Sequence, residues 1–175
     1  MRYVNDIILC IAAAIALFCA DAPAALEERT GEATQRKSLP RDERTMLART
    51  LLSECGRCGD AEVKAIGWVI KNRLRSGRYG DEIGDVVLFQ RRGVYAFTGW
   101  DPRYGRNEAI GAHVDRSRAY ARMLRLADAV WQEEKDPTGN AVDYWHPASF
   151  KPRGGRPYWV KNRVAIKIGG ALFYR

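Results

Sequence analysis

The chain has 175 residues and a mass of 19.8 kDa, with 29 Lys and Arg against 21 Asp and Glu, a formal net charge of +8. Hydrophobic residues at 46% and charged residues at 29% are the balance of an ordinary globular domain and exclude collagen-like and low-complexity chains. A chain of this length can bury a core that needs neither metal nor disulfide, and one domain is expected.

Residues 1–24 read as a secretory signal peptide. Met1 and Arg2 give a positive start, Ile7 to Ala20 is uninterrupted apolar sequence, and Ala22-Pro23-Ala24 has the small-x-small pattern of a cleavage site. The apolar run of 14 residues is short of the roughly 20 that span a bilayer as a helix, so no stable membrane anchor is expected after cleavage. Phe18 beside Cys19 fits a lipoprotein site poorly. Residues 25–40 are polar and lack apolar periodicity, as a linker would, which leaves 41–175 as the folded domain. Without residues 1–24 the charge is +9, from 28 cations and 19 anions. That surplus favours an anionic partner such as a cell-envelope polymer, although the cations are scattered and suit a solvated basic surface equally well.

In chain order, Met46, Leu47, Leu51 and Leu52 predict a helix over 41–54, which places Glu54 at a helix C-terminus. There the negative end of the helix dipole, together with partial burial, disfavours a carboxylate and raises its pKa. Asp60 can cap a second helix through Val63, Ile66, Gly67, Ile70 and Leu74, which the turn 76–80 ends. A short apolar segment, 83–89, leads into a loop-like stretch, 90–106, dense in aromatics. Tyr120, Met123, Leu124, Ala127, Val130 and Trp131 define a third long helix over about 115–135, stopped by Pro137. The tail suggests a small sheet or hairpin, with 141–145 strand-like and 166–174 apolar around Gly169-Gly170. The fold class is α+β, a mainly helical single domain with a minor antiparallel element near the C-terminus.

Cys55 and Cys58 form a C-G-R-C pair that export would oxidise to a local disulfide. A zinc site would need about four ligands, and His113 and His146 lack finger-like spacing, so no metal is expected. A thioredoxin-type CxxC follows a strand, whereas this one follows helical sequence. Phosphate-loop, H-E-x-x-H and G-x-S-x-G motifs are absent from the sequence. What remains is a carboxylate among aromatics, a combination suited to sugar rings and to protonating a glycosidic oxygen.

Five blocks then resemble the SleB-like cell wall hydrolases. They are Leu47-Ala48-Arg49-Thr50-Leu51-Leu52-Ser53-Glu54 with Ala65 to Arg73; Val86-Val87-Leu88-Phe89 with Tyr95-Ala96-Phe97-Thr98; Asp136-Pro137-Thr138-Gly139-Asn140-Ala141; Tyr144, Pro147, Pro157 and Trp159; and the closing Ile168 to Arg175. The resemblance covers residues 44–175. It implies a lysozyme-like domain that cleaves the β-1,4 bond between N-acetylmuramic acid and N-acetylglucosamine in peptidoglycan, with Glu54 at the catalytic position and no cofactor. A lytic transglycosylase would need that one carboxyl; hydrolysis would usually need a second, for which Asp60, Asp101, Glu108 and Asp143 are candidates by type. Tyr144, Phe97, Thr98, Asn72, His146 and Trp159 are the candidate substrate contacts. Phe97 and Trp159 suit core packing as well as a sugar platform, and Asn72 suits bracing a loop.

The chain departs from the family pattern after Glu54, where Cys55-Gly56-Arg57-Cys58-Gly59-Asp60 stands for A-R-G-E, and at Gly170-Ala171, which stand for Asn-His. An exported monomer of the periplasm or cell envelope, acting on glycan strands and not on nucleic acid, is expected. The alternative is a non-catalytic peptidoglycan-binding or scaffold protein of the same fold.

Overall fold

The computed structural model describes residues 39–103, 118–148 and 156–175. The expected signal peptide, nearly all of the linker, Glu108, His113 and the start of the third long helix lie outside the described residues. Two long helices open the domain, α1 (Arg41–Cys55) and α2 (Asp60–Arg75), followed by the short α3 (Ile83–Leu88). A minimal hairpin, β1 (Gln90–Arg91) and β2 (Val94–Tyr95), and a 3₁₀ turn (Thr98–Trp100) occupy the stretch expected to be a loop. After α4 (Arg118–Gln132), strands β3 (Asp143–Trp145), β4 (Ala165–Ile168) and β5 (Ala171–Tyr174) form an antiparallel sheet in the order β3-β5-β4, with Tyr144 and Ile166 both opposite Phe173.

The core is the apolar faces that the periodicity marks. Leu47 and Leu51 of α1, Val63, Ile66 and Ile70 of α2, Ile83 and Val86 of α3, and Met123 and Ala127 of α4 are buried in one cluster with Phe173 of the sheet. Both α1 and α2 pack on α4. Gly67 permits the close approach on the α2 side, since a Cβ there would lie 2.9 Å from Val130 Cγ2.

Polar side chains tie the helix ends together. Neither α1 nor α4 has a basic residue in its last turn; each C-terminus borrows a cation from another helix. Lys71 of α2 donates to the carbonyls of Val130, Trp131 and Glu133 at 2.8, 3.0 and 2.9 Å, meeting the exposed carbonyls and negative dipole end of α4. Arg122 of α4 donates to the carbonyls of Gly56 and Cys58 at 3.4 and 2.7 Å and to Asp60, which fixes the loop leaving α1. Asp60 is therefore the first residue of α2 and an ion-pair partner; Gly59 occupies the cap position, with no side-chain cap.

The turn after α2 depends on backbone freedom. Gly80 has φ +117°, and a Cβ there would lie 2.1 Å from the Asp85 Cβ, whose carboxylate accepts the Asp81 and Glu82 amides. Gly77, at φ +63°, faces open space. In chemical denaturation, Gly80→Ala is expected to destabilise the domain by about 1–3 kcal/mol, clearly more than Gly77→Ala, expected to cost about 1 kcal/mol.

Candidate active site

Glu54 is the penultimate residue of α1. It is half-buried and faces strand β3, where the Tyr144 hydroxyl donates to its Oε2 at 2.5 Å. Burial pushes the Glu54 carboxyl above the ordinary carboxylate range; the Tyr144 hydrogen bond and the nearby Arg73 charge act in the opposite direction without cancelling it. The same enclosure pushes the Tyr144 hydroxyl well above its ordinary value, so it stays a donor. A carboxyl that resists ionisation, oriented through one oxygen, is suited to giving up a proton from the other.

Two devices position β3 against α1. The first is the turn Asp136-Pro137-Thr138-Gly139-Asn140. Asp136 accepts the Thr138 amide and hydroxyl and the Asn140 amide, each at 2.7 Å, while Gly139 and Asn140 adopt positive φ of 62° and 67°. Asn72, buried on α2, locks this turn by donating its amide to Asp136 Oδ2 at 2.8 Å and to the Ala141 carbonyl at 3.0 Å. Burial opposes the ionised form of Asp136, but the hydrogen bonds from Thr138, Asn72 and Asn140 together hold its pKa below the ordinary value. Asn72 thus braces the turn that aims β3.

The second device is Arg73, one residue on. It is buried with its guanidinium 5.0 Å from the Tyr79 ring and 5.1 Å from the Phe97 ring, and its Nε donates to the Val142 carbonyl at 2.7 Å. Its Nη2 reaches Asp143 Oδ1 at 3.4 Å. Arg73 therefore holds Val142 just before β3 and Asp143 at its start, the two residues preceding Tyr144, while placing positive charge near Glu54.

The remaining candidates separate. Phe97 is fully buried beneath Arg73, so it is core and not a sugar platform. Thr98 is exposed at the start of the 3₁₀ turn. Trp159 packs edge-on against Tyr174, centroids 5.5 Å apart, in a small second cluster with Trp145 and Val160. His146 Nε2 lies 3.3 Å from Oε1 of Glu62, whose Oε2 accepts the Gly170 amide at 3.1 Å. The glycines of the β4–β5 turn make this possible. A Cβ at Gly170 would come within 2.6 Å of His146 Nε2, and one at Gly169 within 2.3 Å of Glu62 Oε2. The departure from Asn-His at 170–171 thus accommodates the Glu62–His146 pair.

Three of the four carboxylates considered as second catalytic groups are engaged, and the fourth, Glu108, lies outside the described residues. Asp60 pairs with Arg122 at 2.5 Å, Asp101 with Arg103 at 2.6 Å, and Asp143 with Arg73 and with Arg163 at 2.8 Å. Cys55 and Cys58 place their sulfurs at bonding distance, Cα atoms 5.2 Å apart. Together with Glu62 they are the only grouping among the described residues with metal-ligand proximity. Arg73 and Glu62 went unnoticed in the sequence because each sits where an ordinary helical charge would: Arg73 in the last turn of α2, Glu62 in the first.

An α+β domain that presents one half-buried acid from a helix end to a tyrosine on a small sheet has the layout of a lysozyme-like glycan-cleaving enzyme. The family comparison agrees: the Cell Wall Hydrolase family model matches residues 59–174. The chain belongs to that family and is a peptidoglycan-cleaving enzyme. The matched segment contains Tyr144, Arg73 and Asn72 and begins after Glu54.

Two solved structures share the fold. One is the catalytic domain of the germination-specific lytic transglycosylase SleB from Bacillus anthracis, with a TM-score of 0.55 and 24% identity, covering 79% of this chain and 98% of that one. The other is the catalytic domain of the Bacillus cereus SleB protein, with a TM-score of 0.58 and 21% identity, covering 83% of this chain and 100% of that one. No curated protein gives a significant match. No helix among the described residues is long and apolar enough to cross a membrane.

Because burial raises the Glu54 pKa, the folded state holds this proton more tightly than the unfolded state does. The stability this confers is fully present below the unfolded value, about pH 4.3, and is lost as pH rises through the folded value. Glu54→Gln, which cannot ionise, is therefore expected to raise the thermal midpoint near neutral pH by a few degrees, a gain that shrinks toward pH 4. Tyr144→Phe removes a hydrogen bond that favours the ionised form. It is expected to move the Glu54 titration, followed by carboxyl ¹³C NMR, to higher pH.

Proposed function

We propose that the chain is an exported lytic transglycosylase that breaks the β-1,4 bond between N-acetylmuramic acid and N-acetylglucosamine, with Glu54 acting first as acid and then as base. The observation that carries this reading is the Glu54–Tyr144 pair: one carboxyl whose pKa burial raises above the ordinary range, held by a 2.5 Å hydrogen bond. Support comes also from the arginine partners of Asp60, Asp101 and Asp143, which hold these carboxylates as ion pairs away from a second catalytic role. The printed description of the Bacillus anthracis neighbour, a lytic transglycosylase, points the same way.

In this mechanism Glu54 Oε1 gives its proton to the leaving O4 of N-acetylglucosamine as the C1–O4 bond breaks. The carboxylate formed then takes the proton from the muramic C6 hydroxyl while O6 bonds to C1, which closes a 1,6-anhydro ring and restores the acid. Neither water nor a metal takes part. Tyr144 keeps Oε2 occupied and stabilises the transient carboxylate. Thr98, His146 and Trp159 are assigned to substrate contact.

Residues 1–24 are assigned as the signal peptide and 25–40 as the linker, delivering a monomeric catalytic domain to the periplasm or envelope without a membrane anchor. In that oxidising setting Cys55 and Cys58 form a disulfide that fixes the loop directly after Glu54.

The test is incubation of residues 25–175 with purified sacculi, followed by mass spectrometry of the released muropeptides. Anhydromuramic ends are expected, with turnover falling at least about a hundredfold in Glu54→Gln. Reducing muramic ends would show hydrolysis instead. Binding without release, alike in both proteins, would turn the reading to a non-catalytic scaffold.

A further inference from the structure

A cleft of about 390 Å³ opens beside the site, lined by Arg73, Arg78, Tyr79, Phe89, Arg91, Val94, Ala96 and Asp143. Glu54 is not among its walls, but Arg73 and Asp143 are, the two residues that connect it to β3 and hence to Tyr144. Its floor is a stack: the Arg73 guanidinium over Tyr79, and Tyr79 edge-on to Phe89 with centroids 4.9 Å apart.

The charged residues that line this cleft are three arginines and one acid. Its single acid, Asp143, is committed to Arg73 through Oδ1 and to Arg163 through Oδ2. Arg73 Nη1 is buried without a hydrogen-bond partner. The guanidinium groups of Arg78 and Arg91 are exposed and engage no side chain or carbonyl among the described residues. By contrast, Arg44 is committed to Asp128 at 2.6 Å and Arg122 to the loop after α1.

Both free arginines are mounted on fixed backbone. Arg78 lies in the turn that Gly80 and Asp85 close, and Arg91 in the hairpin whose tip is held by Arg103, donating to the Gly93 carbonyl at 2.9 Å and to the buried Asp101 at 2.6 Å. Two planar donor groups flanking an aromatic and apolar floor fit a ligand with carboxylates on a partly apolar chain.

Peptidoglycan has such a group: the peptide stem borne by muramic acid, which carries free carboxylates along a partly apolar chain. We propose that this cleft is a subsite for the carboxylate-bearing peptide stem, with Arg78 and Arg91 as its anion-binding side chains. The proposal deepens the glycan-cleaving reading and rests on it for the identity of the ligand. The cleft places the stem on the Arg73 side of β3, so stem binding and Glu54 share one buried arginine.

Binding is measured independently of cleavage, using residues 25–175 with intact sacculi and with sacculi stripped of stems by an amidase. The wild-type chain is expected to bind intact sacculi more tightly, and Arg78→Gln with Arg91→Gln to reduce that affinity by about tenfold while narrowing the difference between the two substrates to near nothing. A charge-matched pair, Arg118→Gln with Arg125→Gln on α4, which does not line the cleft, is expected to keep the preference for stems. Equal losses in the two double variants, or a loss just as large on stripped sacculi, would overturn the subsite and leave only a general attraction of cations to the wall. Muropeptide release by the wild-type chain in the same samples reports separately on the enzymatic reading, so cleavage without stem preference defeats the cleft alone.

Discussion

The site depends on a contact across 90 residues of sequence, between a carboxyl at the end of α1 and a hydroxyl on β3. A glutamate at a helix C-terminus is poorly placed as an anion: the helix dipole opposes it, and here enclosure by the sheet opposes it further. The domain tolerates that unfavourable placement because Tyr144 supplies a directed hydrogen bond and Arg73 a moderating charge. Removing either support would leave a buried acid with one fewer compensation. The combination raises the carboxyl's pKa while leaving its ionised form one hydrogen bond and one nearby positive charge.

That contact requires β3 to arrive at a fixed height and rotation, which two adjacent residues of α2 secure. Asn72 holds the turn that feeds the strand, and Arg73 holds Val142 and Asp143, the two residues before Tyr144. Because the helix is itself fixed by Lys71 on the end of α4, the run Lys71-Asn72-Arg73 carries the geometry from the helical core to the Glu54–Tyr144 contact. Three consecutive polar residues on a helix point in three directions, and each has a different structure to hold. A substitution at any of them is thus a structural change first and reaches Glu54 through β3.

Much of this was legible in the sequence. The helical periods locate α1, α2 and α4 to within a few residues, and the C-terminal sheet follows from apolar runs around Gly169-Gly170, because those signals are local. Glu54 could be singled out by its helix-end position, whereas Tyr144 stood out only through the family resemblance. The hairpin of β1 and β2 was missed because two-residue strands have no periodicity to read, only Arg92 and Gly93 at positive φ in the turn. Phe97 was ambiguous for the opposite reason: an aromatic in a loop suits a ligand platform as well as a plug, and only the long-range packing of Arg73 over its ring makes it core. Glu62 and Arg73 could not be distinguished from ordinary helix-end charges, since their burial is produced by segments 70 to 108 residues away.

Net charge illustrates the same division between what composition reports and what structure uses. A surplus of cations suggested an anionic partner, yet most of the arginines followed here hold the fold: Arg44 joins α1 to α4, Arg103 pins the hairpin, Arg122 closes the loop after α1 and Arg163 anchors Asp143. An arginine whose donors are spent inside the domain contributes to the long-range field but little to a directed contact with ligand. Directed binding capacity therefore resides in arginines whose donors remain open. Arg78 and Arg91 are such residues, and they meet at one cleft beside the strand that carries Tyr144, where cationic surface, fixed backbone and an aromatic floor coincide.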